Sequence, residues 1–269
     1  MRYAVRLLFL IFKNSHRILK RDGRKFKNRQ TPLKIGHRGA AGYCPENTFA
    51  SFNKALEMGV DYLEIDVQMT RDGELVVIHD STVNRTTDGK GKVKDFTLQE
   101  IQALDAGSWF NPTFSGERIP SFKEFLENFA GKTGIVIELK KPSLYPGIEE
   151  KVAKELKKRT QRLTEEHKII VQSFDRKSLK RFHNLMPSIP IGVLIKNTGR
   201  GISNKELNSF SHYASYVNPK ITMVNPRLIR RLHRNGFKTI IWTVKNKQEM
   251  KALQQLHLDG IVSDFPDYF

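Results

Sequence analysis

After residue 34 the chain alternates short apolar runs with longer amphipathic segments, and this alternation restricts the fold more than any other feature. Alternation of this kind is typical of βαβ units, in which helices connect the strands of a parallel sheet. Eight such strands would close into a barrel. The predicted strands are residues 33–36, 62–67, 75–78, 135–139, 169–172, 191–195, 216–217 and 239–243.

A ninth apolar run, residues 260–262, leaves the number of barrel strands open. One of the nine runs is a rim segment or a short extra strand, and the apolar pattern does not distinguish between them. The length of 269 residues suits a single barrel domain, because (β/α) barrels typically have about 250 residues. The predicted helices are residues 46–58, 121–130, 147–163, 176–185, 225–235 and 247–256.

The pattern changes between residues 81 and 119, which we interpret as an insertion after the third strand. Residues 86–92 are polar and rich in turn formers, and residues 97–100 (TLQE) have the form of a capping box that opens a short helix. For helix 46–58, Asn47 or Thr48 can cap the start, and Gly59 marks the end. The chain therefore divides into residues 1–31 and a barrel domain, residues 32–269, with the insertion at about 81–119.

Charged residues and histidines gather at the ends of the first four predicted strands. Glu64 and Asp66 are two positions apart, so they point to the same side of their strand. If that side faces the barrel interior, both carboxylates project toward one point at the carboxyl ends of the strands, where barrel active sites lie. The residues that map to this face are His37, Glu64, Asp66, His79, Glu138 and Lys140.

The predicted acidic cluster of Glu64, Asp66 and Glu138 offers only oxygen ligands. Such ligands favour Mg²⁺, Ca²⁺ or Mn²⁺ over zinc. Each acidic strand end is weak evidence alone, because such residues are common structural features. Their joint placement on adjacent strands is what favours a metal site over that structural interpretation.

Basic and imidazole groups accompany the acidic cluster. Arg38 and Lys140 add positive charge suited to a phosphate, and Arg can contact it through two hydrogen bonds. His37 and His79 can exchange protons near neutral pH. A single histidine at a strand end is more often structural, so the pattern indicates a metal-dependent phosphate site only when the groups are taken together.

The motifs that contain these residues resemble those of the glycerophosphodiester phosphodiesterase family. They follow the family order and cover most of residues 35–269, whereas residues 1–34 lie outside the resemblance. The matching segments are GHRGAAGYCPENTFASF, GVDYLEIDVQMTRDGELVVIHDSTVNRTTDGKG, LDAGSWF, IPSFKEFL, IVIELK, VQSFD, IWTVK and DGIVSDFPD.

The resemblance implies a TIM-type (β/α)8 barrel with a small insertion after the third strand. It also implies metal-dependent hydrolysis of glycerophosphodiesters to glycerol 3-phosphate and an alcohol. By position in the motifs, the implied roles are metal binding for Glu64, Asp66 and Glu138, acid–base catalysis for His37 and His79, and phosphate or substrate contact for Arg38, Glu46, Lys140 and Trp242. A structural role for Trp242 as an aromatic residue of the barrel core stays open.

Two positions depart from the family pattern. Lys245 stands where the family often has asparagine, and Ser263 stands where it usually has threonine. We expect Lys245 to change the charge at the rim of the pocket and so to influence which alcohol is accepted. The alternative function on the same scaffold is a lysophospholipase D or sphingomyelinase D-like phosphodiesterase that acts on membrane lipids.

The charge distribution bears on partners and location. The net charge is +18, and residues 1–34 carry 11 of the 46 Lys and Arg residues against a single acid, Asp22. The preferred interpretation of this segment is a short helix on an anionic membrane surface, and an atypical signal or a helix packed on the barrel stays open. The protein is predicted to be cytoplasmic, with membrane association through residues 1–31 left open. Nucleic-acid binding is not predicted, because no nucleic-acid-binding module occurs and the strongest motif is acidic.

A single cysteine, Cys44, excludes an intrachain disulfide and fits a reducing compartment. It lies in a predicted active-site loop, so a nucleophilic role is one hypothesis. No partner that would activate the thiol is identifiable in the sequence, and a structural role is therefore favoured. The sequence carries no signal for the oligomeric state.

Overall fold

The computed structural model describes residues 31–158 and 169–269. In these residues strands and helices alternate along the chain. The strands are β1 (Leu33–His37), β2 (Tyr62–Met69), β3 (Leu75–Val77), β4 (Gly134–Leu139), β5 (Ile169–Ser173), β6 (Ile191–Ile195), β7 (Tyr216–Pro219), β8 (Ile240–Val244) and β9 (Gly260–Ser263). The helices are α1 (Phe49–Glu57), α2 (Leu98–Gln102), α3 (Phe122–Phe129), α4 (Ile148–Lys157), α5 (Arg176–Leu185), α6 (Asn204–Phe210), α7 (Pro226–Arg234) and α8 (Lys247–Leu253).

Eight parallel strands form a nearly closed barrel in the order β7-β6-β5-β4-β2-β1-β9-β8. The two ends of this sheet meet through backbone contacts. The N–H of Val217 donates to the carbonyl of Lys238 at 3.0 Å, and a parallel bridge pairs Lys220 with Trp242. The predicted fold class, a TIM-type barrel, is therefore confirmed.

The extra strand is the third along the chain, not the ninth. Strand β3 is antiparallel to β2, with Val77 opposite Val67, whereas β9 lies in the barrel between β1 and β8. The expectation that His79 ends a barrel strand is therefore wrong. His79 follows a hairpin strand that runs back along β2, and the N–H of Ile78 donates to the carbonyl of Asp66 at 2.9 Å.

After β3 the chain packs a small apolar cluster of its own, which includes Val83, Val93 and Ile101 together with residues next to β3. Helix α2 begins with the predicted capping box. The Thr97 hydroxyl accepts from the N–H of Glu100, and the Glu100 carboxylate accepts from the N–H of Thr97 at 2.7 Å. These contacts satisfy backbone donors that a helix start leaves free.

Helix α1 begins at Phe49, later than predicted, because Thr48 is its N-cap and accepts a hydrogen bond from the N–H of Ser51. Glu46 and Asn47 consequently lie in the preceding turn. The structure describes the predicted helix 147–163 as α4, and residues 159–163 lie outside the described residues. Helix α6 was not predicted, although Ser203 and Glu206 form a capping box at its start.

The outer core lies between the helices and the strands. Phe122, Phe125 and Phe129 fall on one face of α3, and Phe52 of α1 contacts Phe125 with ring centroids 4.8 Å apart. Complete burial of each such side chain contributes about 2–3 kcal/mol. This packing fixes α1 and the turn before it against the barrel.

The barrel interior is layered. An apolar layer consists of Ile35, Tyr62, Val136, Ile170, Tyr216, Ile240 and Val262. Because side chains alternate along a strand, the residue two positions further along each strand lies on the same side, nearer the carboxyl end. These residues are His37, Glu64, Glu138, Gln172, Asn218, Trp242 and Asp264. The apolar layer is thus a floor beneath a polar layer.

No helix among the described residues has the length and apolar character needed to cross a bilayer. The N-terminal segment for which membrane binding was considered lies outside the described residues, apart from Thr31. Its interpretations remain predictions.

Candidate active site

A cavity of about 1140 Å³ opens at the carboxyl ends of the barrel strands. Its lining comes from residues that end or directly follow the strands, as the topology predicts for a barrel. Six of the predicted site residues line it: His37, Arg38, His79, Glu138, Lys140 and Trp242.

The three acidic residues meet beneath this cavity. Ligand oxygens of Glu64, Asp66 and Glu138 all lie within 4.8 Å of one another. Asp66 on β2 is directly opposite Glu138 on β4, and the exposed fractions are 2 %, 0 % and 7 %. The predicted convergence of these carboxylates therefore occurs, on the inner side of the barrel.

The three carboxyl groups of the cluster are not fully compensated by the nearby positive charges of Lys140 and Arg38. Burial and the charges of Asp66 and Glu138 raise the pKa of Glu64 well above its usual range, and burial raises the pKa of Glu138 to about 7. The pKa of Asp66 is lowered, because Lys140 and Arg38 outweigh the opposing effect of burial. Burial without compensating positive charge shifts the protonation equilibrium of a carboxyl group toward its neutral form.

The Oδ1 atom of Asp66 is buried and accepts no hydrogen bond. The Lys140 ammonium lies 3.5 Å from it and forms an ion pair without a hydrogen bond. An under-coordinated carboxylate oxygen among three converging acids suits a divalent cation, whose preferred ligands are hard oxygens. The residues present therefore fit a metal of this class.

Arg38 connects the acidic cluster to the turn after β1. Its backbone N–H donates to Glu64 Oε2 at 3.1 Å, and its guanidinium contacts Asp66 Oδ2 at 3.2 Å and Glu46 Oε1 at 2.6 Å. The turn requires Gly39, which has φ +87° and lies so close to helix α1 that a Cβ would overlap its backbone. These contacts bring the predicted Glu46 into the same charge network.

Backbone strain is concentrated at this end of the barrel. In the described parts of the chain, the non-glycine residues with positive φ are Arg38 (52°), Asn47 (58°) and Lys141 (40°). Arg38 and Lys141 line the cavity, and the Asn47 amide donates to Asp66 Oδ2 at 3.0 Å. Such conformations persist where the surroundings impose them, which is common at functional sites.

His37 is oriented by a carboxylate that sequence analysis did not single out. Its Nδ1 lies 2.5 Å from Asp264 Oδ1, and Lys245 Nζ lies 3.4 Å from the other oxygen of Asp264. Burial and nearby Arg38 lower the pKa of His37, although Asp264 opposes this shift. Lys245, one of the two residues that depart from the family pattern, thus contacts the partner of a histidine with a predicted catalytic role.

Two residues contact His79 directly and a third holds one of them in place; none of the three was predicted as a site residue. Its Nδ1 lies 2.6 Å from Asp80 Oδ1, and Arg85 bridges Asp80 and Glu46 with hydrogen bonds of 2.7–3.2 Å. The Gln68 amide donates to the carbonyl of His79 at 2.9 Å. Burial lowers the pKa of His79. Gln68 continues the inward alternation of β2, which is the signal that could have identified it.

Lys140 lies between two of the acids, with its Nζ 2.7 Å from Glu138 Oε1. In the same polar layer, the Gln172 amide donates weakly to Glu64 Oε1 at 3.5 Å and accepts from Asn218 Nδ2 at 3.0 Å. Buried polar groups are costly unless they are paired. These amides therefore continue the hydrogen bonding from the acidic cluster to strands β5 and β7.

Trp242 lies at the boundary between the cavity and the barrel core, so its predicted role in substrate contact stays a prediction beside the structural one. It lines the cavity and packs against the apolar inner layer. Its indole N–H donates to the carbonyl of Asn218 at 2.7 Å, and its ring meets Phe174 edge to face at 5.5 Å between centroids. The indole is thus fixed in position beside the opening.

The surroundings of Cys44 do not favour a nucleophilic role. Its side chain is buried, with 6 % exposure, and burial raises the pKa of its thiol. A thiol must ionise to attack, so this environment keeps it unreactive. The structure supports the structural role favoured by the sequence.

Comparison with known proteins gives a consistent result. Residues 37–268 match the sequence model of the Glycerophosphoryl diester phosphodiesterase family. The chain is 45 % identical over 234 residues to YhdW of Bacillus subtilis (87 % of this chain, 95 % of the relative). It is 41 % identical over 244 residues to a glycerophosphodiester phosphodiesterase of Caldanaerobacter subterraneus (87 % and 95 %). A phosphodiesterase from Oleispira antarctica, solved with its product sn-glycerol 3-phosphate, superposes with a TM-score of 0.78 at 29 % identity (88 % and 94 %).

Proposed function

This chain belongs to the glycerophosphoryl diester phosphodiesterase family, and we propose that it works as a divalent-cation-dependent enzyme of that class. It hydrolyses glycerophosphodiesters to glycerol 3-phosphate and a free alcohol. One observation carries this proposal: three buried carboxylates lie within 4.8 Å of one another, beneath a cavity that two histidines line. The product-bound Oleispira relative supports the substrate class.

Glu64, Asp66 and Glu138 are the residues that would hold the cation. When bound, it offsets the repulsion among the carboxylates and polarises a phosphoryl oxygen. Mg²⁺, Ca²⁺ and Mn²⁺ all suit these oxygen ligands.

Arg38 and Lys140 bind the phosphate. Both line the cavity, and both are held in place by carboxylates on their inner side. They retain unused N–H donors, since a guanidinium has five and an ammonium has three. Donation to the non-bridging oxygens stabilises the charge that grows there in the transition state.

His37 and His79 transfer the protons. Asp264 and Asp80 engage the Nδ1 atoms, so Nε2 of each ring is the atom available to the substrate. One imidazole removes the proton from the attacking oxygen, and the other protonates the oxygen of the leaving alcohol. The attacker is either water or the neighbouring glycerol hydroxyl, which would give a cyclic phosphate first. Either assignment of the two histidines agrees with the geometry.

The test is a panel of glycerophosphodiesters assayed for glycerol 3-phosphate release. The full-length enzyme is treated with EDTA and then supplied with Mg²⁺, Ca²⁺ or Mn²⁺ in turn. We expect activity to depend on at least one cation. Full activity in excess EDTA would remove the metal from the proposal. Faster turnover of lysophosphatidylcholine than of glycerophosphocholine would favour the membrane-lipid alternative.

A further inference from the structure

Three lysines line the part of the cavity that the mechanism does not use. Lys196 directly follows β6, Lys220 directly follows β7, and Lys141 follows the Lys140 that ends the β4 motif. All three side chains are exposed. We call this set, Lys141, Lys196 and Lys220, the lysine rim.

The rim lysines have no acidic partners among residues 31–158 and 169–269. No carboxylate oxygen there lies within the 4.0 Å that defines an ion pair for any of the three ammonium groups. Three acids line the cavity, and each has other partners. Asp80 pairs with His79 and Arg85, and Glu138 pairs with Lys140. Asp175 accepts from the backbone N–H groups of Lys177 and Ser178 at the start of α5. Lys140, by contrast, pairs with two carboxylates.

The aromatic wall of the cavity is already in contact with a cation. Lys196 Nζ lies over the Phe174 ring at 4.4 Å from its centroid, and Phe174 packs against Trp242. Aromatic rings often bind quaternary ammonium groups such as choline. Here an ammonium from the protein covers one of the two rings, and the other rim lysines repel a second cation.

Positive charge without partners inside a concave surface attracts anions and raises their local concentration. The glycerol half of a glycerophosphodiester is uncharged, so an additional anion in the substrate belongs to the alcohol. We propose that the lysine rim selects glycerophosphodiesters whose alcohol carries a further phosphate or carboxylate. This inference rests on the proposed function and specifies its preferred substrate class.

Three substrates separate the alternatives by the charge of their alcohol. They are glycerophosphoglycerol (neutral), glycerophosphoglycerol phosphate (anionic) and glycerophosphocholine (cationic). We expect kcat/KM to fall in the order anionic, neutral, cationic, with at least a tenfold advantage of anionic over neutral at low salt. That advantage should shrink as ionic strength rises, because exposed charges are screened. This salt readout needs no variant.

A double variant, Lys196→Gln with Lys220→Gln, assigns the preference to the rim. Each lost ion pair with an exposed lysine is expected to lower kcat/KM for the anionic substrate about threefold to fivefold. The ratio of anionic to neutral kcat/KM should therefore fall about tenfold, with a flatter salt dependence. Lys205→Gln on α6 is the matched control, since Lys205 is exposed and does not line the cavity, and it should leave that ratio unchanged.

The outcomes are separable from those of the proposed function. Turnover of all three substrates without a preference for the anionic one would overturn this inference and leave the activity standing. An anionic preference that survives the double variant would also overturn it. Absence of glycerol 3-phosphate from every substrate and cation would overturn the proposed function, and this inference with it.

Discussion

The mouth of the barrel has two halves that differ in whether their charged side chains have partners of opposite charge. At strands β9, β1, β2 and β4 and after the hairpin strand β3, the proposed catalytic groups are paired: His37 with Asp264, His79 with Asp80, and Lys140 with Glu138. At strands β6 and β7, Lys196 and Lys220 have no carboxylate partner among the described residues. The paired half can hold reacting groups in fixed positions, whereas the unpaired half is free to meet a ligand.

The difference also has an energetic side. Removing a charge from water costs several kcal/mol per ion even after relaxation, so the buried acids need partners and, on our proposal, a cation. Exposed lysines stay hydrated, and each contributes only about 0–1 kcal/mol to a contact. We therefore expect changes in the first half to affect every substrate and changes in the second half to affect the choice among substrates.

The largest expected effect is in the paired half. His37→Gln and His79→Gln should each lower kcat by about 10²- to 10⁴-fold, because each removes a proton-transfer group. The loss should be similar for neutral and anionic substrates, unlike that of the rim variants. The measurement is steady-state kinetics with circular dichroism to verify folding. His212→Gln, at an exposed position, is the control, and near-normal activity in both active-site variants would contradict the assignment.

A second prediction concerns stability and needs no activity assay. A ligand at 100 times its Kd stabilises the folded state by about 2.7 kcal/mol, which raises Tm by about 5–10 °C in a chain of this size. We expect this shift when Mg²⁺, Ca²⁺ or Mn²⁺ is added to EDTA-treated wild type. Glu64→Gln removes a metal ligand and the buried carboxyl group whose ionisation Asp66 and Glu138 oppose. Its Tm in EDTA should therefore be at least as high as that of the wild type, and it should respond little to metal.

Equal metal-induced shifts in the wild type and Glu64→Gln would contradict the metal site. They would also remove the energetic reason for distinguishing the two halves. Differential scanning calorimetry at matched ionic strength makes the comparison.

The smallest expected effect tests the pairing of Asp80 through pH. Hydrogen bonds from Arg85 and His79, against the opposing effect of burial, lower the pKa of Asp80 to about 2. A folded-state pKa below the unfolded value gives stability that is present above about pH 4 and is lost as the pH falls toward 2. Because the pair is partly exposed, we expect about 1 kcal/mol.

The measurement is urea unfolding of the wild type and Asp80→Asn at pH 6 and pH 3. The wild type should be more stable at pH 6, and the difference should decrease at pH 3. A difference that is independent of pH would show that Asp80 acts through packing alone.

The inner residues of β2 and β4 could be predicted from the sequence, because alternation depends only on local backbone geometry. Glu64, Asp66 and Glu138 therefore appear where they were expected. Strand direction could not be predicted, because a short apolar run has the same sequence pattern in a parallel strand as in an antiparallel one. For this reason β3 was assigned to the barrel and β9 was left undecided.

The partners of the histidines could not be predicted for a similar reason. Asp264 reaches His37 only because β9 pairs with β1 across 227 positions of sequence. Arg85 reaches Glu46 only because the insertion folds back over the turn before α1. Helix α6 was overlooked although Ser203 and Glu206 have capping-box spacing, since the segment has too few apolar residues to show a periodicity.

The apolar layer across the barrel has a consequence for the order of events in turnover. It closes the bottom of the chamber under the acidic cluster, so substrate enters and both products depart at the strand ends. On the proposed function, we expect the product seated nearer the floor to leave second. That deeper product should compete directly with incoming substrate, and its release should limit the turnover rate when it accumulates.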